Sequence, residues 1–388
     1  MSKPILIGAG QADRARHEAR PESACGIVVG HVDAVSPSLA SELDALYQHL
    51  NSSLRHFGIH GRAQGASAYV ARRDGAPLAI FLFRQEKGRI RVLNEMVRIP
   101  QEEIERFAAY AFQRFPTVSV ISFSLIGKDV GALSLPYQQH GHSEDIVVTL
   151  PASPDAYLAS LGSKTRHNIR HQQKALARDH PGLVFRTLEN ADIGRQQVLD
   201  LIALKRRNTD EKGIAFGISD EESAWLAEQA QTSGLLVAAM AEGRLCGGSL
   251  SLRLGDHYFA YVVAYDTEFA RYSLGMLCCY LAMQEKIARK ARVAHLSWGR
   301  QQYKFKLQGV QHDMANLDVY RSRMAYWRRP HSLIRHATVD YAQRCKLALL
   351  ASEQRQGMLP TVSRALIGTM RALKRSGIRR REGLERQD

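Results

Sequence analysis

Long hydrophobic runs are missing from this 388-residue chain. No apolar stretch approaches the roughly 18 to 20 residues needed to cross a bilayer, and the opening MSKPILIGAGQADRARHEARPE turns polar before a signal-type apolar region develops. Neither a membrane span nor a secretory leader is expected, and the chain reads as cytoplasmic. Cysteine is also scarce. The five residues Cys25, Cys246, Cys278, Cys279 and Cys345 are odd in number and lack C-x-x-C spacing, which argues against a disulfide framework and a zinc ribbon. Acidic residues are outnumbered, 38 Asp and Glu against 53 Lys and Arg, and unevenly so: residues 328–388 hold 14 basic and 5 acidic side chains. With 45% apolar and 23% charged residues, the composition is that of a globular protein long enough for two domains and a tail.

The first 24 residues lack periodic apolar positions and read as a flexible arm, with order beginning near Ile27. From Ser36 to Phe57, Leu39, Leu43, Leu46, Leu50 and Leu54 keep helical spacing and predict one amphipathic helix. Two hairpins follow, with turns at Asp74-Gly75 and Lys87-Gly88, then a helix from Pro100 to Phe112 and a strand in TVSVISFSL. The same order recurs after residue 155: Val70 falls opposite Val237, and Gly75 opposite Gly243, which predicts an internal duplication with a boundary near 145–155. His140 and His142 fall in the presumed linker, with no further metal ligands nearby. After Pro360 a helix with Val362, Leu366, Met370 and Leu373 on one face and basic residues on the others predicts a basic amphipathic tail.

Three segments carry candidate chemistry. In the first, the aromatic strand HYFAYVVAYD runs into TEFARYSLGM and a helix, and a helix start favours anions such as pyrophosphate. Ser273 would cap it, Gly275 would allow close backbone approach, and Arg271 adds positive charge. The matching helix of the first half instead opens with Glu102 and Glu103, which suit a helix dipole but would repel a phosphate. Cys278 and Cys279, adjacent on a helix, point about 100° apart and read as core residues. The second segment is LGSKTRHNIRHQQKALARDH, where Arg166, Arg170, Lys174 and Arg178 form a basic stripe, either a solvated face or a contact for a phosphate-rich or acidic ligand. The third is HLSWGRQQYKFKLQGV, where Tyr303 is either a general acid or a packing residue and Lys304 either an anion holder or a surface lysine.

In order, LGSKTRHNIR, ALKRRNTDEKG, GLLVAAMAEGRLCGGSLSL, AYDTEFARYSLGMLCCYLAMQEKIARK and HLSWGRQQYKFKL resemble the CelD/BcsL-like acetyltransferases of the GNAT superfamily, relatives of the Fem peptidyltransferases. The resemblance covers about residues 155–310; the first half is only weakly similar. It implies a mixed α/β fold of tandem GNAT-like domains with splayed central sheets: a flexible arm over 1–24, a degenerate domain over 25–150, the acyltransferase domain over 151–330 and the basic helical tail over 331–388. It also implies that acyl-CoA pantetheine lies along the strand Tyr258 to Ala264, with Val262, Val263 and Ala264 beside it. The pyrophosphate would meet Arg271, Tyr272, Ser273, Gly275 and Met276. Tyr303 takes the place of the family's catalytic tyrosine and Lys304 that of its lysine, while Arg166 and Arg170 become substrate contacts. No metal is implied. The chain departs from the family pattern at His295, where an aspartate is common, and at Arg300 and Gln301, where acidic residues are usual, so this segment lacks a carboxylate to accept an amine proton.

The leading expectation is therefore an acetyl-CoA- or other acyl-CoA-dependent N- or O-acyltransferase acting on a small-molecule or saccharide acceptor, a sugar or amino-sugar intermediate of surface polysaccharide synthesis. One alternative takes aminoacyl-tRNA as donor, as in the Fem relatives. Another is a non-enzymatic fold docking through residues 328–388 on anionic membrane, peripherally on the inner membrane, or on a biosynthetic complex.

Overall fold

The computed structural model describes residues 20–22, 26–32, 35, 39–57, 63–213 and 215–328. The arm up to residue 19 and the basic tail of 331–388 lie outside the described residues. Order begins earlier than the sequence suggests, because β1 (Arg20–Glu22) pairs with β2 (Ile27–Val32).

Each half follows one plan. In the first, β2 leads into the short helices α1 (Leu39–Tyr47) and α2 (Leu54–Phe57), then the antiparallel strands β3 (Ser67–Arg73), β4 (Ala76–Glu86) and β5 (Arg89–Val92). Asp74-Gly75 and Lys87-Gly88 make the turns as expected, all four residues at positive φ, which matches the twist of the flanking strands. Helix α3 (Gln101–Arg114) then crosses over to β6 (Val120–Gly127), parallel to β5, and β7 (Tyr137–Thr149) closes the half. A parallel neighbour requires such a crossover.

After α4 (Pro154–Ser160) and α5 (Ser163–Asp179) the plan repeats: β8 (Leu183–Glu189), α6 (Arg195–Glu211), α7 (Asp220–Ser233), β9 (Gly234–Ala241), β10 (Arg244–Leu254), β11 (His257–Tyr265), α8 (Leu274–Ala288), β12 (Val293–His295), a short α9 (Gln302–Lys306) and β13 (Val310–Tyr320). Val70 and Val237 lie in the corresponding strands β3 and β9, and β12 is parallel to β11 as β6 is to β5.

The two halves share a single sheet of order β1-β2-β3-β4-β5-β6-β13-β7-β12-β11-β10-β9-β8. Each half therefore hands its closing strand to the other: β13 lies against β6, β7 lies against β12, and the two pair with each other. His140 accordingly sits inside β7, in the middle of the sheet and 3.5 Å from Asp318, rather than in a linker.

Two other differences have local causes. The helix expected over Ser36 to Phe57 breaks after Tyr47: Gln48 is left-handed, and the His49 ring caps a short turn over Leu50–Ser52. The core of the first half centres on Phe107 of α3, packed among Tyr69, Phe81, Phe83 and Phe123, each ring contributing about 1.5–3 kcal/mol of burial. The core of the second half centres on α8, where Cys278 and Cys279 are both buried as read from their spacing. Among the described residues no helix is long and apolar enough to cross a membrane.

Candidate active site

Strands β11 and β12 are bonded only at their beginnings, His257–Phe259 against Val293–His295. Beyond that vertex they splay, and β11 continues to Tyr265 without a strand on that side. Its register against β10 shifts at Leu250/Ser251, which are paired with Val262 and Ala260, so β11 bulges at Tyr261. Asp266 N–H donates to Cys246 O at 2.7 Å, which marks the side of β11 bonded to β10. Tyr265 turns its backbone the other way. Its carbonyl accepts from the Asn208 side chain of α6 (2.8 Å), and its N–H donates to the same amide (3.2 Å). Strand alternation gives Val263 the same orientation, and among the described residues its N–H and C=O take no backbone partner across the gap. It offers a free strand edge.

The corresponding gap in the first half is closed. Counting from the paired residues Arg89 and His257, Glu95 corresponds to Val263. The Ser52 hydroxyl donates to Glu95 O (3.0 Å) and accepts from Glu95 N–H (3.1 Å). Met96 N–H donates to Leu125 O (2.8 Å), and Gly127 N–H donates to Val97 O (2.9 Å), bridging the two strands again. Arg98 packs so closely on Gly127 that a Cβ there would stand 2.9 Å from its side chain.

Helix α8 follows β11 after a short turn over Thr267–Tyr272. Ser273 occupies the N-cap position, but in a left-handed conformation (φ 52°) that turns its hydroxyl away, and it makes no side-chain cap; the capping expected from the sequence is corrected accordingly. The first turn holds no acidic residue. Gly275 is required by packing: a Cβ would lie 2.8 Å from the Tyr265 ring, so glycine lets the helix start close over β11. Met276 packs against the same core. Tyr272 is buried and donates to Asp179 (2.9 Å), while Arg271 lies over the Tyr272 ring (4.6 Å) and 3.5 Å from Asp179, with most of its side chain in solvent.

Tyr303 meets the Cys279 side chain, which meets Ser249, the residue paired with Val263. Burial, with Cys279 beside it, drives the Tyr303 hydroxyl far above its ordinary range, so it keeps its proton. Burial likewise pushes the Cys279 thiol up to about 11, which makes it a packing residue and not a nucleophile. Lys304 is buried, and its ammonium donates to the carbonyls of Ser297 (3.1 Å) and Trp298 (2.6 Å), bracing the far lip of the splay. Burial lowers both Lys304 and Lys286 to about 8, and it lowers Lys205 of α6 as well. Of the expected substrate contacts, Arg166 is turned onto the carbonyls of Ala159 and Leu161 at the end of α4, which leaves Arg170 as the exposed member. A cleft of about 780 Å³ opens between α6, α7 and the β9–β10 turn, but none of the gap's lining residues belong to it.

The first half supplies the carboxylate absent from HLSWGRQQYKFKL. Asp145, on the exchanged strand β7, accepts from His295 Nδ1 at 2.6 Å and lies 3.7 Å from His49 Nε2. The three residues are buried. His295 stacks on Phe259 (centroids 4.3 Å apart, 11° between planes), and its Nε2 lies 3.1 Å from His257 Nδ1. The two imidazoles hold the Asp145 carboxyl below the usual carboxylate range despite its burial. Glu144, next in the chain, accepts from Gly299 N–H (2.9 Å) and lies 3.8 Å from Arg300. Sequence reasoning missed Asp145, Glu144 and His49 because they are 150 residues or more from the segment they serve.

Comparison with known proteins accords with this geometry. Residues 163–306 match the family model described as acetyltransferase (GNAT) domain. No curated protein matches the chain. Among solved structures it is similar to FemX, with 11% identity, a TM-score of 0.56 and coverage of 77% of this chain and 99% of that one. L-PGS from Bacillus licheniformis matches with 14% identity, a TM-score of 0.47 and coverage of 75% and 94%. A tandem GNAT protein from the clavulanic acid biosynthesis pathway matches with 11% identity, a TM-score of 0.39 and coverage of 76% and 98%. The chain shares its fold with FemX, and the match to the acetyltransferase (GNAT) domain model lies in its second half.

Proposed function

We propose that the open splay of the second half binds an acyl-CoA and that the chain transfers the acyl group, acetyl in the simplest case, to nitrogen or oxygen of an acceptor. The observation carrying this reading is the contrast at Val263 and Glu95: the same strand edge is free in one half and occupied by Ser52 in the other. The pantetheine amides would pair with Val263 as a strand does, and the diphosphate would lie at the acid-free start of α8 beside Arg271 and Gly275. Backbone donors at the Tyr261 bulge would stabilise the oxyanion formed when the acceptor attacks the thioester carbon. The C–S bond then breaks, and Tyr303, which retains its proton, donates a hydrogen bond to the leaving thiolate. Most of the acceleration would come from holding donor and acceptor together.

The acceptor we propose, a sugar or amino-sugar intermediate of surface polysaccharide synthesis, rests on the CelD/BcsL-like motifs. Calorimetric titration of the full chain with acetyl-CoA and longer acyl-CoAs tests the donor: one should bind stoichiometrically, and binding of none overturns the reading. An aminoacyl-tRNA donor is the second reading, favoured by the exposed Arg170 and Lys174 on α5. Tighter binding of aminoacyl-tRNA than of every acyl-CoA at low salt would select it.

A further inference from the structure

Between its vertex and Val263 the open splay is crossed once, by a side chain. The last paired residues of β11 and β12 are Phe259 and His295, and Ser297, two residues on, donates its hydroxyl to the carbonyl of Ala260 at 3.1 Å. Ser297 thus spans the gap at the residue before the Tyr261 bulge. Its segment is held from the other side: Leu296 N–H donates to Ile146 O of β7 at 2.7 Å, and the buried Lys304 ammonium holds the carbonyls of Ser297 and Trp298. Ser297 itself sits at φ 58°, a left-handed conformation that serine adopts only at a cost. In that conformation its hydroxyl reaches β11. The first half repeats such crossings outward, at Met96 with Leu125 and Val97 with Gly127, and so shuts its splay. The second half stops after Ala260.

We infer that Ser297 is the floor of the donor site and restricts the acyl group to about two or three carbons. The inference rests on the acyltransferase reading above, with the diphosphate at the start of α8 and the last pantetheine amide paired at Val263. Covalent geometry then sets the depth. Four bonds lead from that amide nitrogen through two methylenes and the sulfur to the thioester carbon, roughly 5 Å in extended form, and one more to the acetyl methyl, roughly 6.5 Å. A strand advances about 3.3 Å per residue, so the methyl stands level with Tyr261, two residues from Val263. The Ser297–Ala260 bond crosses one residue further on, about 3.3 Å away, which is already van der Waals contact. A butyryl chain needs roughly 2.5 Å more in the same direction. It must displace the Ser297 hydroxyl or pull the pantetheine out of register with Val263. The donor class that fits is a short-chain acyl-CoA, acetyl or propionyl.

Calorimetric titration of the full chain with CoA and with acetyl-, propionyl-, butyryl- and hexanoyl-CoA reads the floor without an acceptor. Acetyl- and propionyl-CoA should bind within about threefold of each other, and butyryl- and hexanoyl-CoA at least about tenfold more weakly, since a close-packed wall does not yield to added methylenes. Ser297→Gly removes the hydroxyl at a φ that glycine adopts freely, so its melting temperature should not fall. In that variant butyryl-CoA should gain at least about tenfold in affinity, while CoA itself stays within about twofold of the wild type. Hexanoyl-CoA bound by the wild type as tightly as acetyl-CoA overturns the floor and leaves the acyltransferase reading standing. So does a Ser297→Gly variant with an intact melting transition and the wild-type chain-length profile. Binding of neither CoA nor any of its thioesters overturns both.

Discussion

The two halves of the molecule use one topology for opposite ends. In the first, Ser52, Leu125 and Gly127 take up the backbone of Glu95, Met96 and Val97, and α3 opens on Glu102 and Glu103. In the second, Val263 is left open, α8 starts without an acid, and Lys205, Lys286 and Lys304 surround the gap. The splay is therefore a potential site that each half either fills or keeps, and in the half that keeps it burial lowers the pKa of all three lysines. The sheet makes the halves interdependent all the same, because β7 brings Asp145 to the vertex of the second splay. The closed half is not idle scaffold; it supplies an anion.

The contrast can be broken or sharpened by substitution. The largest effect belongs to Tyr303→Phe, which keeps the ring but removes the donor to the thiolate: kcat should fall on the order of 100-fold, roughly 3 kcal/mol, with the melting temperature nearly unchanged. Next is Lys286→Met. The folded pKa of about 8 lies below the ordinary 10.5, so the fold penalises the ammonium. That penalty is complete below about pH 8, fades as pH rises from 8 toward 10.5 and is gone above it. Denaturant unfolding should show the variant more stable by about 3 kcal/mol at pH 7, an advantage that shrinks toward pH 11. Ser52→Ala should cost about 1–3 kcal/mol by stranding the N–H and C=O of Glu95, yet leave acyl-CoA affinity as it was. Smallest is Val263→Pro, which deletes a single N–H facing the gap: acyl-CoA affinity should weaken about tenfold by calorimetry, with little change in stability.

Much of this plan is visible along the chain. The hairpin turns, the paired strands at Val70 and Val237, the buried cysteine pair and the contrast between the acidic start of α3 and the neutral start of α8 all follow from local pattern. The exchange of β7 and β13 does not, since nothing in the spacing of His140 and His142 distinguishes a central strand from a connection. The break at His49 was hidden because Leu50 and Leu54 continue the helical period, yet in the fold they bury from a short turn and a separate helix. At the candidate site, the motifs single out Tyr303 and Gly275; in the fold Tyr303 is buried beside Cys279, and Gly275 answers to the Tyr265 ring. Arg166 and Lys304 looked like ligand contacts but bond backbone carbonyls, because a cation near a helix end or loop finds those acceptors first. Asp145 and Ser52 act across the sheet, and only tertiary pairing shows what they do.

One splay is open and the other shut. Hydrogen–deuterium exchange of the full chain with saturating acetyl-CoA, alongside calorimetric stoichiometry, tests it most directly. One equivalent should bind, with new protection confined to residues 260–277 and none across 92–101. Two equivalents, or protection appearing around Glu95 to Val97, would contradict it.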